Sequence, residues 1–160
     1  AKTILISAGL DNVIHLPCPA IFTLDYFEIE PVEQNDATCL VTIDPDSRSY
    51  DYLNKETSDN IRNLKECSRI AYHQFHPWEY HGMTELEKDL KKLAKFGTII
   101  SERIHFAIPF INTHNLSVVP IDSRVNTATE LGIPIFPITR KPHINKENIL
   151  NKYLEALNGV

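Results

Sequence analysis

Helical and strand-like patterns alternate along the second half of this sequence, and this alternation constrains the fold more than any other feature. Residues 84–96 begin with a capping box and carry leucines at helical spacing, and a glycine follows them. Residues 116–121 and 133–138 are apolar strand patterns on either side of a short helical pattern at 123–131. Alternating strands and helices predict an α/β fold with mostly parallel strands.

The first third of the chain is predicted to be rich in β-structure. Residues 3–7, 21–30 and 37–43 are dominated by apolar, aromatic and β-branched side chains, which suit a half-buried pleated surface. Residues 58–75 carry apolar side chains at helical spacing, whereas residues 98–112 fit a helix and a strand equally well. Asn145 is expected to cap a final amphipathic helix.

The length of 160 residues fits one domain, and no linker divides the sequence. We therefore expect residues 1–160 to form a single three-layer, Rossmann-like α/β domain. No apolar run reaches the roughly 20 residues that cross a bilayer, so no membrane contact is expected. The three cysteines are widely spaced and include no Cys-x-x-Cys pair, which indicates neither a disulfide scaffold nor a cysteine zinc site and is typical of a cytoplasmic protein.

Charge is divided unevenly along the chain. Residues 1–60 hold eleven acidic and three basic side chains, whereas residues 61–160 hold ten acidic and thirteen basic ones. The acidic first part could face a basic protein partner, although a solvated surface of uneven composition gives the same pattern. A sequence pI near 5.8 argues against a dedicated nucleic-acid binder without excluding nucleic acid as a ligand.

The sequence lacks the common phosphate-binding and hydrolase motifs. No Gly-x-x-x-x-Gly-Lys-Ser/Thr loop and no Gly-x-Gly-x-x-Gly turn occurs, which argues against a P-loop NTPase and a standard dinucleotide-binding domain. Neither Gly-x-Ser-x-Gly nor His-Glu-x-x-His occurs, so the common nucleophile-elbow hydrolases and zincins are also disfavoured.

Histidines are concentrated in residues 73–81, which have the sequence HQFHPWEYH. His73 and His76 are expected at the end of the predicted helix, where a spacing of three places both rings on one face. His81 could join them from the following loop, to hold a divalent metal or to act as an acid or base near neutral pH. The alternative is structural, since helix C-termini favour histidine and the neighbouring aromatic side chains would pack on the core.

Two predicted strands end in similar polar sequences. The residues concerned are Asp44, Asp46 and Arg48 after the strand at 37–43, and Asp122, Ser123 and Arg124 after the strand at 116–121. Ligands of α/β sheets bind beyond the carboxyl ends of the strands, and a helix that begins at Asp122 or Ser123 would attract an anion. The three aspartates could hold a divalent metal such as Mg²⁺. The alternative is structural, since Asp and Ser are preferred at helix N-caps and in turns whether or not a ligand binds there.

Residues 104–138 place Asp122 after a strand and the sequence Glu-Leu-Gly-Ile-Pro, residues 130–134, after a helix. This arrangement resembles the closing αβ units of PIN-type nucleases and of other Rossmann-like domains, over about a fifth of the chain. PIN-type nucleases also have an aspartate just beyond the first strand, and Asp11 is the nearest such residue here. The resemblance implies a Rossmann-like fold and extends to no particular family.

These patterns predict a domain that binds an anionic small ligand, such as a nucleotide or a phosphorylated metabolite, through Asp122, Ser123, Arg124 and Arg48. If the protein is an enzyme, the expected reaction is metal-assisted hydrolysis. The ion would then lie on Asp44, Asp46 and Asp122, and the catalytic groups would be Asp44 and a base among His73, His76 and His81. The alternative is a non-catalytic interaction protein, such as an inhibitor, an immunity protein or an assembly subunit, that uses its acidic N-terminal face.

Overall fold

The computed structural model describes residues 16–30, 35–42, 53–64, 67–71 and 83–158. Contacts divide the chain into two compact units: residues 20–144 belong to the larger unit, and residues 16–19 together with residues 145–158 belong to the smaller one. The single domain expected over residues 1–160 remains a prediction. Within the described residues, no helix combines the length and the apolar character that a membrane span requires.

A four-stranded parallel sheet forms the centre of the larger unit. Its strands are β1 (Thr38–Thr42), β2 (Cys67–Ala71), β3 (Thr98–Ser101) and β4 (Asn115–Val118), in the order β2-β1-β3-β4. β1 therefore lies between β2 and β3, and Thr38 pairs with Cys67 on one side and with Thr98 on the other. Helices separate consecutive strands along the chain, so the predicted α/β class with parallel strands is confirmed.

Helices precede, connect and follow these strands. In the larger unit they are α1 (Thr23–Tyr26), α2 (Lys55–Arg62), α3 (Met83–Leu93), α4 (Ile104–Ala107) and α5 (Val125–Glu130), with a 3₁₀ turn at Ile108–Phe110. Another 3₁₀ turn, Pro19–Phe22, begins one residue before this unit. The smaller unit contains α6 (Lys146–Asn158). The side chain of Asn145 accepts a hydrogen bond from the backbone N–H of Asn148 at 3.0 Å, which confirms the predicted cap of the last helix.

The core of the larger unit packs against the sheet. Leu40 and Ile100 on neighbouring strands form a buried cluster with Ile61 of α2, Val119 and Phe136. Cys39 precedes Leu40 and therefore faces the opposite side of the sheet. Burial raises the pKa of the Cys39 thiol to about 12, so this side chain is a neutral core residue rather than a reactive thiolate.

The segment after α5 runs along the outer edge of β4. Ile135 forms an isolated parallel bridge with Val118, and Arg140 forms an antiparallel bridge with Leu116. Further along, the side-chain amide of Asn112 accepts from the backbone N–H of Ile144 at 2.7 Å and donates to its carbonyl oxygen at 2.8 Å. Residues 135–144 thus cover part of the edge that β4 would otherwise present.

The N-terminal third differs from its prediction. Residues 21–30 were expected to form a strand, but they contain the end of the first 3₁₀ turn and α1. Ile21 and Leu24 are 0% and 3% exposed, and their spacing of three places both on one helical face. β1 is the strand that the structure describes within this third, so a β-rich N-terminal region is not confirmed.

Three further elements differ from the expected pattern. The helix expected over residues 58–75 ends at Arg62, and Cys67–Ala71 is the edge strand β2 instead. The strand expected over 133–138 is reduced to the bridge at Ile135, because Pro134 and Pro137 have no N–H for a ladder. The ambiguous segment 98–112 contains both elements: β3 is followed by α4 and a 3₁₀ turn.

Candidate functional site

The sheet order fixes where a ligand site is expected. The chain passes from β1 outward to β2, then returns to the other side of β1 for β3 and β4. In open α/β sheets, ligands bind beyond the carboxyl ends of the strands where the strand order reverses. The two strands on either side of this reversal end at Thr42 and at Ser101.

Buried polar side chains occupy these two strand ends. Thr42 and Ser101 are 0% exposed, and Glu102 is 3% exposed. The Thr42 hydroxyl donates to Oε2 of Glu102 at 3.1 Å, and the backbone N–H of Glu102 donates to the carbonyl oxygen of Val41 at 3.0 Å. A buried carboxylate is costly even when it is hydrogen-bonded. Proteins retain such costly groups mainly at functional sites.

Ser101 fixes the backbone directly after β3. Its hydroxyl donates to the carbonyl oxygen of Arg103 at 2.7 Å and accepts from the backbone N–H of Arg103 at 3.0 Å. This local turn holds Glu102 and Arg103 at the carboxyl end of the strand. The positive charge of Arg103 contributes to lowering the pKa of Asp122, so the residues after β3 and β4 share one electrostatic environment.

Asp122 and Arg124 form a local ion pair after β4. Nε of Arg124 lies 2.9 Å from both carboxylate oxygens of Asp122, and Nη2 also donates to Oδ2. The side-chain hydrogen bond from Arg124 is the main reason that the pKa of Asp122 is lowered. The two side chains are 37% and 51% exposed, so the pair contributes little to stability.

The predicted helix start at Asp122 or Ser123 is wrong by two to three residues. α5 begins at Val125, its N-cap position is Arg124, and no side chain caps it. Asp122 instead accepts a hydrogen bond from the backbone N–H of Arg124 at 2.9 Å, and Ser123 is exposed. α5 has only six residues, so its dipole gives little support to an anion site.

A small pocket joins the ends of β3 and β4. Its volume is about 10 Å³, which is room for roughly one water molecule. The lining residues are Glu102, Ile104, Val118, Val119, Ile121, Asp122, Arg124 and Val125. Glu102, which is buried, and Arg124, which is about half-exposed, thus both line this pocket. It admits a single small group, and the rest of any ligand would lie outside it.

The remaining predicted site residues lie outside the described residues. They are Asp44, Asp46, Arg48, His73, His76 and His81, and the aspartate nearest the first predicted strand, Asp11, also lies outside. The helix expected over residues 58–75 ends at Arg62, and the strand β2 follows at Cys67–Ala71. In the part of the chain that the structure describes, no three histidine, cysteine, aspartate or glutamate side chains could hold a metal ion.

Sequence reasoning missed Thr42 and Glu102. A signal was present, since the polar sequence Ser101-Glu102-Arg103 follows the apolar pair Ile99-Ile100. Because residues 98–112 fit both a helical and a strand period, the sequence did not show where β3 ends or that Glu102 follows it directly.

Comparison with known proteins yields no matching family model, no significant match to a curated protein and no significant match to a solved structure.

Proposed function

We propose that this chain is a Rossmann-like, three-layer α/β domain that binds an anionic small ligand, a nucleotide or a phosphorylated metabolite. The site is the pocket at the carboxyl ends of β3 and β4, next to the reversal between β1 and β3. One observation carries the proposal: a buried carboxylate, Glu102, and an exposed guanidinium, Arg124, line the same pocket at the carboxyl edge of a parallel sheet.

Arg124 supplies the anion-binding group. Its planar fork matches a phosphate as well as it matches the carboxylate of Asp122. An exposed ion pair between neighbouring residues is worth only about 0–1 kcal/mol, so a phosphate can replace Asp122 at low cost. Arg103 adds a second positive charge near the end of β3.

The first test is a thermal-shift panel of inorganic phosphate, nucleoside monophosphates and divalent metals at millimolar concentration. A ligand that binds the folded state raises the melting temperature by mass action. We expect phosphate compounds to stabilise the native protein, and Arg124→Ala to weaken their binding by roughly tenfold without unfolding it. Arg62→Ala is the matched control, because Arg62 forms a similarly exposed pair with Asp59 on α2.

The panel separates the possible outcomes. Equal loss of binding in the Arg62 and Arg124 variants would assign the effect to net charge rather than to the pocket. Unchanged binding in Arg124→Ala would remove this guanidinium from the site. If no phosphate compound stabilises the native protein, the proposed function fails.

Metal-assisted hydrolysis is the catalytic form of this proposal. It would use Asp44, Asp46 and Asp122 for the ion and one of His73, His76 and His81 as the base. Asp122 is the described member of that set, and a metal would have to displace Arg124 from its carboxylate. Stabilisation by Mg²⁺ or Mn²⁺ in the same panel would support this form, and its absence would leave a ligand-binding domain.

A protein-interaction role is the second candidate, and the smaller unit provides an observation that favours it. Leu150, Leu154 and Leu157 recur along one face of α6 and are 47%, 48% and 72% exposed. An exposed apolar stripe of this kind is typical of a surface that contacts another protein. If no ligand stabilises the protein, and if it associates with a partner in a manner that Leu154→Ser weakens, this role is favoured over ligand binding. Salt-sensitive association would point instead to the acidic N-terminal face as the contact surface.

A further inference from the structure

The pocket has two chemically different sides. Glu102, which is 3% exposed and carries a carboxylate, is taken as the inner side of the pocket, and Arg124, which is about half-exposed, as its rim. The apolar residues Val119 and Ile121 also line the pocket. A ligand that used both sides would need an anion for the guanidinium and a hydrogen-bond donor for the carboxylate.

The size of the pocket restricts the group that can approach Glu102. About 10 Å³ accepts one water-sized group, so a hydroxyl fits and a phosphate or a sugar ring does not. The phosphate is therefore expected at the exposed rim, and the group that enters the pocket is a donor.

Thr42 holds the carboxylate in a defined orientation. Its hydroxyl donates to Oε2 of Glu102 at 3.1 Å, and Thr42 itself is fully buried in β1. A carboxylate has about four acceptor positions, so it can accept from Thr42 and from a ligand hydroxyl at the same time. The backbone of Glu102 is fixed by its hydrogen bond to Val41, so both strands at the reversal position the acceptor.

We propose that Glu102, positioned by Thr42, selects phosphorylated ligands that carry a hydroxyl group, as ribonucleotides and sugar phosphates do. This inference rests on the proposed phosphate site at Arg124 and adds the substrate class. A hydrogen bond from a ligand hydroxyl to a carboxylate is charge-assisted, so a ligand that carries the hydroxyl is expected to bind more tightly than the analogue that lacks it. Glu102 is a specificity residue in this scheme, and Thr42 is a positioning residue.

The test compares ligands that differ only in hydroxyl groups. Adenosine 5′-monophosphate is titrated against 2′,3′-dideoxyadenosine 5′-monophosphate, and glycerol 3-phosphate against n-propyl phosphate, by calorimetry on the native protein. We expect the hydroxyl-bearing member of at least one pair to bind about tenfold more tightly or better. Glu102→Gln leaves a neutral acceptor in place of the carboxylate, so it should reduce that preference and retain the phosphate-dependent binding. Glu130→Gln, an exposed glutamate on α5, is the matched control.

A second pair of variants tests the inference independently, in case Glu102→Gln does not fold. Thr42→Val removes the hydroxyl that orients Glu102 and should reduce the preference, whereas Thr42→Ser retains a hydroxyl and should restore it. If both members of each pair bind the native protein equally, the selection by Glu102 is wrong while the phosphate site stands. If Glu102→Gln folds and keeps the full preference for the hydroxyl-bearing ligand, another residue binds that hydroxyl. If no compound binds, the proposed function itself fails.

Discussion

Gly97 and Gly132 restrict substitution for different physical reasons. A Cβ on Gly97 would lie 1.9 Å from the carbonyl oxygen of Asn35, and nothing lies within 4 Å of the corresponding point on Gly132. Gly97 is held in place because its N–H donates to the side chain of Asn35 and to the carbonyl oxygen of Ala37. Gly132 instead has a φ of +71°, which favours glycine through the backbone alone.

We therefore predict that Gly97→Ala is the more damaging of the two substitutions. It forces the Asn35 backbone away from β3, at a cost of about 1–3 kcal/mol or more in the free energy of unfolding. Gly132→Ala should cost about 1–2 kcal/mol, the backbone penalty for a left-handed alanine. Urea denaturation of both variants measures the difference. Equal stabilities would mean that the loop at Asn35 moves aside freely.

His114 makes stability depend on pH. The ring is fully buried; Nε2 lies 3.2 Å from the carbonyl oxygen of Ala94, and Nδ1 lies 2.7 Å from the Thr113 hydroxyl. Burial is the main cause that lowers the pKa of His114, and the charge of Lys141 lowers it further. The unfolded chain therefore takes up a proton near pH 6.5 that the native state resists.

The contribution of neutral His114 to stability should be complete above about pH 6.5 and should be lost as the pH falls from there through its lower native pKa. Between pH 7.5 and pH 5.5, the native protein should lose more unfolding free energy than His114→Gln does. Urea denaturation at both pH values measures this, with His105→Gln, an exposed histidine, as the control. The same pH dependence in the native protein and in His114→Gln would contradict the assignment.

At the scale of elements, the covered edge of β4 depends on Asn112. Its φ is +75°, and its amide makes both hydrogen bonds to Ile144 that a neighbouring strand would make. We predict that Asn112→Ala loosens residues 140–144, because both bonds are lost and the left-handed backbone is strained. Hydrogen exchange at the Ile144 and Leu116 amides should become faster. Asn112→Gly loses the same bonds without the strain, so it should be the more stable variant, and the reverse order would contradict this explanation.

The elements that the sequence predicted correctly are those whose pattern depends on local spacing alone. α3, β1 and the cap at Asn145 follow from leucine spacing, alternation and a side chain that bonds its own helix. Residues 67–71 were predicted as helix because Cys67 and Ile70 continue the spacing of three set by Ile61 and Leu64. Ile21 and Leu24 were assigned to a strand because aromatic and β-branched residues surround them, although their own spacing is helical.

At the scale of the whole molecule, the parallel sheet could be predicted but its strand order could not. Alternating patterns indicate parallel strands, yet the side of β1 on which β3 pairs depends on contacts between distant residues. For the same reason, the sequence identified Asp122 and Arg124 at a strand end but not Glu102. Glu102 lies across the reversal from Thr42 and accepts a hydrogen bond from it, and no local motif encodes that position.

The central position of β1 also has a consequence for synthesis on the ribosome. Thr38 pairs with Cys67 and with Thr98, so β1 finds no hydrogen-bonding neighbour among the residues adjacent to it in the chain. Its first partner strand leaves the ribosome much later, and its second leaves later still. Domains dominated by such distant pairings fold slowly, because loop closure must come before the contacts that compensate for it. Until β3 has emerged, the apolar residues Cys39, Leu40 and Val41 remain unpaired and prone to aggregation, so this strand is a segment of the nascent chain that a chaperone would protect.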